Sequence, residues 1–209
     1  MTQDPIQLRH SPFEVLSMQY VKLCDLATIK FCSITPSRSK QQAIPSKWLV
    51  CANFLADNEI VHTPIENYVV PDEEWLLHKD DIVIKRITPT FINYIDYCPD
   101  DVYCGNNLII VTPSKETDAK FLAMILNDKI GDLSKESSIG AVMKSISRQD
   151  LEMLEIPLPE EHKRRLLGEL WYNGIELKKK RIKLAELENI RTTYIIKKTI
   201  HTSGGNNNG

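Results

Sequence analysis

The segment Pro71 to Lys85, PDEEWLLHKDDIVIK, is where this chain comes nearest to a catalytic pattern. Metal-dependent nucleases follow a Pro-Asp pair with an acidic residue two positions before a lysine, because carboxylates must hold the ion. Here Val83 stands two before Lys85 and Leu77 two before Lys79, so the acid is missing and Asp80 and Asp81 read as turn residues opening a strand. A glycine-rich cofactor turn, a GxxxxGK[ST] phosphate cradle and a GxSxG nucleophile elbow are all absent. The five cysteines (Cys24, Cys32, Cys51, Cys98, Cys104) form no CxxC pair, and no histidine lies near Cys98 and Cys104. They read as reduced, buried or strand-edge thiols of a cytoplasmic protein. The chain is expected to carry no catalysis, no metal and no cofactor of its own.

Reading a base sequence needs another inventory: forked or amide side chains to reach base edges, with cations and hydroxyls for phosphates. Three polar stretches supply it. The first holds Ser37, Arg38, Lys40, Gln41 and Gln42; the second Lys85, Arg86, Thr88, Thr90, Asn93 and Tyr94; the third Ser138, Gly140, Lys144, Ser145 and Ser147. Ordinary solvated loops have the same composition.

The elements that would position these stretches make an α+β domain with mixed, irregular β-structure and short helices over residues 1–159. Val21 to Phe31 reads as a strand or turn feeding a short helix. Trp48 to Leu55 and Ile60 to Val70 read as strands, the second held to an edge or bulge by Pro64. Asp80 to Ile87 and Phe91 to Cys98 read as a hairpin across the TPT turn, and Asp101 to Pro113 as a strand pair around Gly-Asn-Asn. Thr117 to Asp128 reads as an amphipathic helix capped by Thr117 or Asp118.

The last fifth differs in kind. Pro157 and Pro159 forbid a helix before about Glu160, and the run to Lys198 holds no proline and two glycines, Gly168 and Gly174. Roughly 39 helical residues span roughly 58 Å, longer than a small domain is wide. Leu170, Leu177 and Leu184 recur every seven residues, with Leu166, Leu187 and Tyr194 at intervening positions and Asn173 and Lys180 interrupting the seam. The helix either folds back on its own domain or pairs with another long helix, and its length favours pairing. Residues 199–209 are expected to be a disordered tail. The full chain carries 26 Lys+Arg against 28 Asp+Glu; from Glu160 onward the count is 11 against 6, a net of +5, leaving 15 against 22, a net of −7, in residues 1–159. So acidic a head is a poor nonspecific binder of a polyanion and would have to meet DNA through a local face. No apolar run is long enough to span a membrane and the N-terminus has no signal-peptide pattern.

The chain resembles the specificity subunits of type I restriction-modification systems, or one half of such a subunit: a target-recognition domain followed by its spacer helix. The resemblance rests on VKLCDLATIKFCSITPS, on DDIVIKRI followed by GNNLIIVTP, on SSIGAVMKSISRQDLEMLEIPLP, and on the helix opening at EEHKRR. It departs from the family at Asp80, where a glycine is usual, at Glu161-His162, where a Glu-Gln pair is usual, and in lacking a second domain-helix repeat.

The resemblance implies a non-catalytic domain that reads half of a split site in double-stranded DNA. Adenine methyltransferase subunits using S-adenosylmethionine, and a restriction subunit, would be separate chains. With one half present, an antiparallel homodimer through Leu166, Leu170, Leu177, Leu184, Leu187 and Tyr194 would meet an interrupted palindrome. Within that frame Arg86 would fork onto guanine and Asn93 onto adenine, supported by Tyr94, with Lys144, Ser145 and Lys40 on phosphates; Arg38, Gln42, Lys85 and Thr88 complete the expected DNA face. The bland reading of Arg86 is an ion pair with Asp80 or Asp81. A protein-interaction module, or a mimic that docks on a methyltransferase or nuclease without reading DNA, is the alternative, and a stand-alone nuclease ranks last.

Overall fold

The structure is a computed structural model that describes residues 19–33, 46–49, 54–55, 59–60, 63–65, 73–97, 102–115, 117–136 and 145–203. Its centre is a four-stranded antiparallel sheet ordered β2 (Ala27–Phe31), β10 (Leu108–Pro113), β7 (Ile82–Lys85), β8 (Ile92–Tyr94). The expected hairpin is present, with Ile82 opposite Tyr94 and Ile84 opposite Ile92. Strand β7 does not alternate between core and solvent: Ile82, Val83 and Ile84 are all buried, which marks a sheet covered on both faces.

One face, carrying Ile82, Ile84, Ile109 and Val111, packs under Phe121, Leu122 and Leu126 of α2 (Ala119–Glu136). Asp118 starts that helix by accepting the Phe121 amide at 2.7 Å, one of the two caps the sequence offered. The other face, carrying Val83, Leu108 and Ile110, packs with Leu49, Trp75, Val102 and Cys104. Those residues come from a 3-10 turn (Glu73–Trp75) and from a mixed sheet ordered β6 (Thr63–Ile65), β3 (Ser46–Leu49), β9 (Val102–Cys104), in which β3 and β9 run parallel. Pro64 lies in β6, an edge strand, as a residue without an amide donor requires. A short pair, β4 (Phe54–Leu55) with β5 (Glu59–Ile60), stands apart from it.

Two sequence expectations change. The segment 21–31 begins as expected, with strand β1 (Gln19–Lys22) feeding a short helix, the single turn α1 (Leu23–Leu26), but its second half is not helical and forms β2. The two strands around Gly-Asn-Asn do not pair with each other; β9 joins the mixed sheet and β10 the central one. The turn changes sheets, and Asn107 takes the left-handed conformation there with φ 61°.

After α3 (Arg148–Glu152), strand β11 (Glu155–Leu158) pairs antiparallel with β1, and α4 (Glu161–Ser203) follows. Its 43 residues measure about 64 Å, running past the expected end at Lys198. Its first turns dock on the head. Trp171 and Tyr172 pack against the core, Lys120 and Glu169 form an ion pair at 2.6 Å, and a Cβ at Gly168 would stand 2.5 Å from the Phe121 backbone nitrogen. Gly168 therefore lets α4 lie directly against the start of α2. From Lys180 to His201 every residue is exposed.

Candidate nucleic-acid interface

Sheet order decides which segments emerge together. Because β10 runs antiparallel to both neighbours, the ends of β2 and β7 and the start of β10 share one edge: Phe31 lies opposite Ile109, and Lys85 opposite Leu108. The Arg86 amide donates to Asn107 at 2.9 Å, the Ile146 amide donates to the Arg86 carbonyl at 3.1 Å, and Ile87 bridges Ser145. The described flanks of the three polar stretches, Ser33, Lys85 to Thr90 and Ser145, are thus gathered at one end of the sheet.

That end is cationic. Lys85 lies 5.5 Å from the centroid of the Phe91 ring, while the Arg86 and Arg148 guanidinium carbons lie 5.5 and 4.6 Å from that of Phe31. The Arg86 Nε also donates to the Ile146 carbonyl at 3.0 Å. Arg86 is therefore held by a carbonyl and a ring, not by Asp80 or Asp81, which sit at the far end of the hairpin.

Two expected readers do not reach this surface. Asn93 is 0% exposed, faces the second apolar cluster, and neither amide atom has a partner, so it cannot fork onto an adenine. Tyr94 is buried at the opposite end of β8 and donates its hydroxyl to Asp80 Oδ1 at 2.5 Å. Thr88 is exposed, and Lys85 and Ser145 are half-buried. Arg38, Lys40, Gln42 and Lys144 lie outside the described residues. Sequence reasoning missed Phe31, read as helical, and Arg148, whose SRQD run carried a capping signal: Ser147 accepts the Asp150 amide at 3.1 Å.

The far end is the joint with α4. A cleft of about 460 Å³ lies there, lined by Asp80, Tyr94, Asp96, Asp118, Lys120 and Glu169 among others. Much of its polar lining is internally satisfied through Tyr94–Asp80, Lys120–Glu169 and the Asp118 cap. Burial, and then the hydrogen bond to Asp80, raises the Tyr94 pKa; burial, and then a hydrogen bond to Asp96, raises that of Tyr172. Both phenols are held neutral as donors. Asp80 has φ 71°: the position is left-handed, a conformation glycine adopts freely and an L side chain chiefly when it is Asp or Asn. Asp81 is 1% exposed, accepts from Thr112 Oγ1 at 2.6 Å and the His78 amide at 2.8 Å, and has a pKa raised by desolvation against those lowering bonds.

On α4, Leu166, Leu170, Leu177, Leu184, Leu187 and Tyr194 are all exposed. Ile182, Ile196 and Ile200 are exposed as well, and at about 100° per residue they fall on the opposite side from the leucines, while exposed Ile190 lies beside Leu187 and Tyr194. Among the described residues no helix is long and apolar enough to cross a membrane, and no cluster of metal-ligating side chains occurs.

The architecture is that of an α+β head followed by a long C-terminal helix. A family profile described as the Type I restriction modification DNA specificity domain matches residues 17–165, and the chain belongs to that family. A crystal structure of an HsdS subunit from Thermoanaerobacter tengcongensis is similar, with a TM-score of 0.58 and 19% identity over 87% of this chain and 42% of that one. A structure described as the structural basis of complex assembly and conformational transition of the type I R-M system has a TM-score of 0.56 and 16% identity over 94% of this chain and 47% of that one. The chain spans less than half the length of either. No curated protein matches it in sequence.

Proposed function

We propose that the chain is a non-catalytic DNA-reading half of a type I specificity subunit: its head recognises one part of a bipartite site in double-stranded DNA, and α4 holds the second reader at a set distance. The observation that carries this reading is the convergence, at one end of the central sheet, of the described second stretch with Ser145 of the third and the end of β2, among the cations Lys85, Arg86 and Arg148. It gives a head of net −7 the local positive face that duplex contact needs.

Two opposed apolar stripes on α4 support two kinds of occupant. The leucine stripe suits an antiparallel second copy through Leu166, Leu170, Leu177, Leu184, Leu187 and Tyr194, and the isoleucine stripe suits a methyltransferase subunit, which would bring S-adenosylmethionine and the chemistry. The setting would be the cytoplasm. Arg38, Lys40, Gln42, Lys85, Thr88, Lys144 and Ser145 remain the proposed DNA-facing residues; Arg86 shapes the face, and Asn93 and Tyr94 leave it. Selection of tight binders from random duplexes by the purified chain tests the proposal. Enrichment of a defined half-site, without strand cleavage when Mg²⁺ is added, is expected. Binding to a methyltransferase subunit with no duplex enriched would favour the docking-module reading, which the acidic head supports.

A further inference from the structure

We infer that Arg148 is a phosphate-contacting residue, set in place by the Phe31 ring that it shares with Arg86; the inference rests on the DNA-reading proposal. Arg148 opens α3, a helix of 5 residues, and its side chain is 55% exposed. Its position comes from stacking: its guanidinium carbon is 4.6 Å from the Phe31 centroid, and that of Arg86 is 5.5 Å from the same centroid. The two carbons can therefore be no more than about 10 Å apart, comparable to the Debye length of roughly 8 Å at physiological salt, so the two charges repel across a gap that salt only partly screens.

The cluster is only partly balanced by carboxylates. Glu152 meets Arg148 Nη1 at 3.0 Å, while no carboxylate pairs with Arg86 among the described residues. Each guanidinium stacks on a ring that half-fixes its plane, a preorganised fork suited to a phosphate. Arg86 has spent its Nε on the Ile146 carbonyl, which leaves Arg148 as the more accessible arm. Its expected ligand is a phosphodiester of the duplex backbone, bound beside the segments that would read bases. A contact of that kind fixes register and strength without distinguishing sequences.

The test uses the full chain on a duplex taken from the selection and on a scrambled duplex, measured at several salt concentrations. For Arg148→Gln the slope of log affinity against log salt should fall by about 0.9, as for one lost phosphate contact, with equal weakening on both duplexes. Phe31→Leu should lower the slope in the same direction, and Glu152→Gln should tighten binding to both duplexes. An unchanged slope in Arg148→Gln, or a loss confined to the selected duplex, overturns the inference while leaving the DNA-reading proposal standing. Failure of the wild-type chain to bind either duplex overturns that proposal itself.

Discussion

Tyr94 of the central sheet and Tyr172 of the long helix meet edge to face, their ring centroids 5.2 Å apart at an interplanar angle of 78°. The contact joins the strand hairpin that leads from the cationic edge to the helix that leaves the head. With Lys120–Glu169 and the close approach at Gly168 it fixes the direction in which α4 departs. The head and the first turns of the strut therefore form one packed unit, and the lever begins only beyond it.

The two helical glycines should respond with opposite signs. A Cβ at Gly168 meets backbone at 2.5 Å, whereas nothing lies within 4 Å of one at Gly174. Gly174→Ala should stabilise the chain by about 0.5 to 1 kcal/mol through helix propensity. Gly168→Ala should lose that gain and destabilise by about 1 to 3 kcal/mol, because α4 must shift off α2. Urea unfolding of both variants measures the difference, and equal stabilisation of the two would contradict the joint.

Glycine and alanine at position 80 should differ in a definite order. Its left-handed backbone and its bond to Tyr94 act together. Asp80→Gly gives up the bond but gains backbone freedom, for a net change within about 1 kcal/mol. Asp80→Ala loses the bond and meets the left-handed penalty of roughly 1 to 2 kcal/mol, so it should be the less stable variant. Thermal melts of the pair decide the order.

Asp81 gives a pH dependence with a definite sign. Its folded-state pKa is raised above 3.8 by burial, so between those two values the native state binds more protons than the unfolded chain. This group's contribution to stability therefore declines as pH rises from 3.8 through the raised value and is then constant. Asp81→Asn should remove that decline, so that stability gains more as pH rises above 3.8 than it does in the unsubstituted chain. An unchanged slope would mean that the hydrogen bonds from Thr112 and His78 cancel the desolvation.

Asn93 carries a buried amide with neither atom bonded. Replacement by valine removes the unmet desolvation, so Asn93→Val should stabilise by about 1 to 3 kcal/mol in urea unfolding. Binding to a selected duplex should be unchanged. Loss of selectivity at an adenine position in that variant would restore Asn93 as a reader.

Much of this was legible from local rules. The long helix followed from two prolines before it and none within it, the β7–β8 hairpin from two apolar runs about a TPT turn, and the Asp118 cap from its place before an apolar helical period. Other features depended on distant partners. Asn93 looked like a surface amide because nothing local reveals that the face of the sheet on which its partner Val83 packs is buried as well as the other. Tyr94 and Tyr172 are neighbours only because α4 returns along α2. Arg148 looked like one charge in a polar run until β2 brought Phe31 beneath it.

The central claim is that the strut sets the distance between two reading heads. It is tested most directly by the preferred gap between half-sites when seven residues are inserted into α4 at its exposed stretch. One heptad adds about 10 Å to an antiparallel pair, or about three base pairs at roughly 3.4 Å each. The wild-type chain should select an inverted repeat with centres near one DNA turn, roughly 34 Å, and the lengthened chain should select the same half-sites with the gap widened by about three base pairs. The same gap for both chains, or selection of a single uninterrupted half-site by both, would contradict the account.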